Sequence, residues 1–154
     1  MNWLHELITN PILITSTSSW AIAQILKVII NAIVNKEWSL ERLFGDGGMP
    51  SGHSATVSSL AVITGLTCGA GSVEFAIAAI VAIVVCHDAM GVRLESGKHA
   101  ILLNEMLEWF DNLTKEKFTE VKLKEFVVHT PLQVIVGVLL GVSNAFLIHY
   151  VVFR

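Results

Sequence analysis

Charge is scarce in this chain. Of its 154 residues 15% are Asp, Glu, Lys or Arg, where a soluble domain carries about a quarter. The net charge is −3, and no basic cluster stands out beyond the interleaved stretch from Lys115 to Lys124. That excludes the basic face a nucleic-acid binder needs, so nucleic acid is not an expected partner. There are two cysteines, Cys68 and Cys86, each in apolar surroundings and without Cys-x-x-Cys or Cys/His spacing. A disulfide framework and a thiolate metal site are thereby disfavoured, and both read as packing residues. The N-terminal run MNWLHELITN has no basic segment ahead of an apolar core, and no small-residue cleavage site follows. A cleaved signal peptide is not expected; insertion would use the first span.

What is abundant is apolar: 53% of residues and a mean hydropathy of +0.66. The composition predicts an all-α integral membrane bundle of about four spans, forming a single domain over residues 1–154. Pro11 to Val34 is the first span and Pro131 to Phe153 the last. Between them Ala55 to Leu66 and Phe75 to Cys86 read as a tight helical hairpin broken at Gly69, Ala70 and Gly71. Each arm is short of the roughly 20 residues that cross a bilayer, so the arms must recruit flanking residues or pack inside the bundle.

Two polar features interrupt this pattern. Gln24, Lys27 and Asn31 recur at spacings of three and four in the first span, which puts them on one helical face turned to protein or water rather than lipid. From about Gly97 to Leu113 apolar residues recur at helical spacing among charges, which predicts an amphipathic surface helix. Trp38 fits the aromatic belt of an interface. Gly137 and Gly141 form a small-xxx-small pair that lets another helix approach, in the same chain or in a second copy, so a homo-oligomer through this face is one expectation.

Of the ten Lys and Arg, Lys36 and Arg42 lie in the first connection and six lie between Arg93 and Lys124. With four spans, both connections share one side, and the positive-inside rule puts that side, with the amphipathic helix, in the cytoplasm. His53, Asp88, Arg93, His99 and His129 all fall near that face.

The stretch from Gly45 to Ala55 reads GDGGMPSGHSA. Its glycines and Pro50 preclude a regular helix, while the apolar run after it starts one. Backbone N–H groups at that start, with Ser51 and Ser54 beside them, make a seat for an anion such as phosphate, with His53 at its edge. A plain N-cap is the simpler reading of three residues alone.

The run PSGHSA resembles the second signature of the phosphatidic acid phosphatase type 2 superfamily, which also holds bacterial acid phosphatases and vanadium haloperoxidases. HTPLQVIVG, from His129 to Gly137, resembles its last signature. DAMGVRLESGKHAILLN, from Asp88 to Asn104, looks like the mark of a divergent branch of small membrane proteins related to the acid phosphatases and vanadium haloperoxidases. The resemblance implies a multi-pass protein of a bacterial plasma membrane acting on a phosphate monoester or pyrophosphate, with a phosphorylated lipid as one such substrate. It implies His129 as a nucleophile forming a phosphohistidine, His53 as general acid, and Lys27 with the Ser51 and Gly52 backbone as phosphate holders. No metal or cofactor is implied, although vanadate would fit such a pocket as a phosphate mimic.

Three departures stand against this pattern. The superfamily's first signature follows its Lys with Arg-Pro seven residues on, where this chain has Val34. Its last signature has Asp four residues after the nucleophilic His, where this chain has Gln133, whose amide oxygen can hold an imidazole tautomer but adds no charge. The usual Arg six residues before the His is Leu123 here. Asp88 could supply the carboxylate from another helix, and Lys122, Lys124 or Arg93 the cation. A rival register pairs Arg93 with His99 but leaves HTPLQVIVG unexplained. His5, His87 and His149 match no signature. The contrasting function is a non-catalytic membrane protein that retains an anion or lipid head-group pocket.

Overall fold

In the computed structural model residues 2–36, 48–114 and 130–153 are described, and all the regular structure among them is helical. The helices are α1 (Trp3–Ile8), α2 (Pro11–Asn35), α3 (Gly52–Cys68), α4 (Val73–Met90), α5 (Val92–Thr114) and α6 (Pro131–Val151). Three of them, α2 over Pro11–Val34, α4 and α6, are long and apolar enough to cross a membrane.

The fourth member of the bundle, α3, is its centre. At 17 residues and 1.5 Å per residue it spans about 26 Å, a little short of the roughly 30 Å hydrocarbon layer. It packs against α2, α4 and α6, so its polar residues face protein. Ser54, Ser58, Ser59 and Thr64 are all buried. Side chains this small let helices approach closely, which is how helix association proceeds in lipid, where apolar burial offers little drive. The predicted hairpin forms around Gly69, whose φ of +91° suits glycine, and Ser72 caps α4 by accepting the Phe75 N–H at 3.1 Å.

The run of threonines and serines in α2 does not break the helix. Thr15, Ser16 and Thr17 each donate a hydroxyl to the carbonyl four residues back, at 2.7 to 2.8 Å. Asn10 starts the helix by accepting the N–H groups of Ile12 and Leu13, with Pro11 in the first turn where no donor is needed.

The α6 helix lies on α3 through Val134, Gly137, Gly141 and Ala145, a buried stripe at spacings of three and four. A side chain on Gly141 would run into the Ala55 carbonyl and the Ser58 hydroxyl. The glycine face considered above as an oligomer seam is therefore covered by α3 of the same chain. One turn beyond, Asn144 Nδ2 donates to Ser19 Oγ at 2.8 Å and Ser18 Oγ at 3.0 Å, tying the end of α6 to the first half of α2. At the opposite end the Ser51 N–H donates to the Gln133 carbonyl at 3.0 Å. The second half of α2 and the starts of α3 and α6 thus gather at one end of the bundle.

Most of α4 faces outward, with Ile77, Ile80, Ile83 and Val84 exposed, as lipid contact requires. The amphipathic helix α5 begins at Val92 rather than near Gly97, because Gly97 is buried inside the helix rather than opening it. Its Leu102, Leu103, Met106, Trp109, Phe110 and Leu113 occupy one exposed arc.

Candidate anion site at the start of the central helix

The local chain explains why a shaped loop enters α3. Gly48 has φ +104°, a conformation side chains rarely adopt. The Met49–Pro50 peptide is cis and Pro50 is fully buried. Ser51 then caps α3: its Oγ accepts the Ser54 N–H at 3.3 Å and the Ser54 hydroxyl at 3.0 Å. Both serines are fully buried. Their hydroxyls serve the cap and the Ser51 N–H serves Gln133, so what Ser51 contributes to an anion is the shape of the turn. The donors at the positive end of the helix are the N–H groups of Gly52 and His53. The His53 side chain is exposed.

Helix α2 forms the wall opposite. The stripe read from the sequence is buried along its length, with Gln24 7%, Lys27 3% and Asn31 7% exposed. The Lys27 stem rests on Gly48, where a Cβ would meet Lys27 Cγ at 3.0 Å. One turn earlier, Gln24 faces Gly52, with Oε1 3.7 Å from where a Cβ would stand. That oxygen is buried and accepts no hydrogen bond among the described residues. A buried acceptor left so costs about 1–3 kcal/mol.

The third wall is α6. A Cβ at Gly137 would be 2.5 Å from the Ser51 carbonyl oxygen, so only glycine lets α6 press on the cap. Gln133 Oε1 accepts the Thr130 N–H at 3.0 Å, the return half of a capping box. On α4, the Cys86 side chain lies beside Ser54. Asp88, two residues on and half-buried, belongs to the same end of the bundle.

Lys27 thus packs on the turn that leads into Ser51 and Gly52, with His53 next on α3 and Asp88 at the same end. Arg93 lies in the first turn of α5, with its side chain outside the described residues. His129 lies outside them altogether, as do Trp38, Arg42, Lys122, Leu123 and Lys124. Among the described residues no cluster of three or more His, Cys, Asp or Glu side chains could hold a metal. Sequence reasoning missed Gly48, Gly137 as part of the site, and the exceptional state of Gln24. The first two were legible only as turn and packing glycines, and the third only as one of a stripe.

The model of the divergent PAP2 family matches residues 8–144, a span that contains α2, the Gly48–Ser54 turn, Asp88, His129 and both glycines of α6. The chain belongs to the divergent PAP2 family. It is also 36% identical over 156 residues to the uncharacterized membrane protein YuiD of Bacillus subtilis (strain 168), covering 94% of this chain and 98% of that protein. No solved structure matches it.

Proposed function

We propose that this divergent PAP2 protein is a membrane phosphatase that hydrolyses a phosphate monoester or pyrophosphate delivered from the bilayer, such as a phosphorylated lipid. The observation that carries the reading is the packing of the buried Lys27 stem on Gly48, in the turn that leads into α3; a cation on that stem would add to the N–H donors of the helix end. In the reaction a ring nitrogen of His129 attacks phosphorus and the P–O bond to the leaving group breaks. His53 gives its proton to the departing oxygen, and Lys27 with the Gly52 and His53 N–H groups holds the phosphoryl oxygens. Water, losing a proton to His53, then attacks the phosphohistidine, releasing phosphate and restoring both histidines. Asp88 and Arg93 are the candidates for orienting the nucleophile and adding a cation. Vanadate would enter the same seat as a phosphate mimic. The bacterial relative supports a bacterial plasma membrane, and the distribution of Lys and Arg supports a site on the cytoplasmic side.

Gln133 favours a second reading, in which the pocket binds a lipid head group without turning it over. Its oxygen is engaged by the Thr130 N–H, and it carries no charge with which to stabilise an imidazolium. Phosphate release from a panel of lipid phosphates by the purified protein, compared with His129→Ala and His53→Ala, separates the two. Release lost in both folded variants supports hydrolysis; no release by the wild type, with phosphate still bound, supports the binding protein.

A further inference from the structure

The buried Gln24 oxygen points to something more specific than an anion. A helix N-terminus and a lysine attract any anion of suitable size, whereas Oε1 of Gln24 is an acceptor and repels a bare one. Yet it is held at the anion seat, 3.7 Å from the Cβ position of Gly52, on a residue 7% exposed. It has no hydrogen-bond partner among the described residues. A buried acceptor without a protein partner in this position is complementary to a donor that arrives with the anion, and on a phosphoryl group that donor is its O–H.

We propose that Gln24 makes the pocket selective for a phosphoryl group that carries its own proton, accepting the P–OH while Lys27 and the α3 N–H groups hold the ionised oxygens. The inference rests on the phosphate seat proposed above and names the species it takes, the monoanion of a phosphate monoester. A phosphate diester and a sulfate, which have negative charge but no such proton near neutral pH, fit the seat and leave the Gln24 oxygen unpaired. An unpaired buried partner is the strongest basis on which a site rejects an isosteric ligand.

The charged and titratable groups near Gln24 are Lys27 on its own helix and His53 on α3; the Gly48–Pro50 turn and the facing first half of α6 bring none among the described residues. Both would act alike on phosphate and sulfate, so the difference between the two anions isolates the ligand's proton.

The test is binding of inorganic phosphate and of sulfate to the full chain in detergent near neutral pH, for the wild type and Gln24→Leu. The wild type is expected to prefer phosphate by about tenfold or more, the scale of one hydrogen bond. In Gln24→Leu the two affinities are expected to converge, phosphate weakening by the lost hydrogen bond and sulfate strengthening as the unpaired acceptor is removed. Methylphosphonate, which has no bond for the site to hydrolyse, is expected to weaken on the wild type as pH rises through its second ionisation, relative to a sulfate control. Should Gln24→Leu fail to fold, the wild-type phosphate-to-sulfate ratio and the methylphosphonate profile decide alone. Equal affinity for the two anions overturns the role of Gln24 and leaves the seat standing. A preference for sulfate also overturns it, since the amide would then present its N–H2. Binding of neither anion removes the seat itself, and with it the phosphatase reading.

Discussion

Gly137 of α6 lies so close to Ser51 that a methyl group on it would stand 2.5 Å from the Ser51 carbonyl oxygen and 3.1 Å from Ser54 Cβ. The contact couples packing to the site, because Ser51 is the cap on which the Gly52 and His53 N–H groups are oriented. Four residues on, Gly141 makes the same kind of contact with Ala55 and Ser58, one turn further into α3 than the cap.

Alanine at either glycine should therefore destabilise the bundle, by the roughly 1–3 kcal/mol of overpacking against backbone that cannot swing aside. The two should differ in function. Gly137→Ala is expected to weaken phosphate binding by more than its effect on folding explains, and Gly141→Ala to leave affinity near wild type in the folded fraction. Thermal unfolding with and without phosphate measures both quantities.

Gly48→Ala combines an unfavourable backbone with a tight contact, since φ is +104° and the added carbon would press on Lys27. A loss of about 1–3 kcal/mol is expected from the backbone alone, along with weaker phosphate binding as the lysine is displaced. Unchanged binding in this variant would show that the Lys27 position does not depend on the turn.

Asn144 holds the other end of the bundle through Ser18 and Ser19. Hydrogen bonds between helices in lipid average about 0.6 kcal/mol and reach roughly 1.7. Asn144→Ala should lose stability in that range, and because it acts far from the Ser51 cap its phosphate affinity should be unaltered. Denaturation in detergent, paired with a binding titration, checks both.

Gln133 can be separated from its sequence position by its bond to Thr130. Gln133→Glu keeps the capping box and puts an anion at a helix start, so stability should stay within about 0.5 kcal/mol. Gln133→Ala should lose roughly 0.5–1 kcal/mol. A larger loss on Glu than on Ala, measured by thermal unfolding, would mean the side chain meets something that rejects charge.

Much of this bundle was legible because its physics is local. The glycines between Cys68 and Phe75 announced the hairpin, and the period of Leu103, Met106 and Phe110 announced α5. The start of α5 was misplaced because Gly97 reads as a break, and a buried glycine inside a helix is explained only by what packs on it. The span count was blurred for a related reason: α3 is polar at Ser54, Ser58, Ser59 and Thr64 because three other helices surround it.

Within the site, the stripe of Gln24, Lys27 and Asn31 showed which face of α2 turns inward, yet nothing in its spacing says what it meets. That Gly48 receives Lys27, Gly52 receives Gln24 and Gly137 receives Ser51 are contacts between elements far apart in the chain. The serines misled in a modest way, since hydroxyls that looked available to an anion are used by the α3 cap itself.

The central claim is that the turn before α3 and the buried Lys27 together form a seat for a phosphoryl group. It is tested most directly by the phosphate dependence of thermal unfolding in the wild type and Lys27→Met. The wild type should be stabilised by phosphate, by about 2.7 kcal/mol at a concentration one hundred times its dissociation constant, and Lys27→Met should lose that response while still folding. An equal response to phosphate in both proteins would place the anion elsewhere and contradict the account.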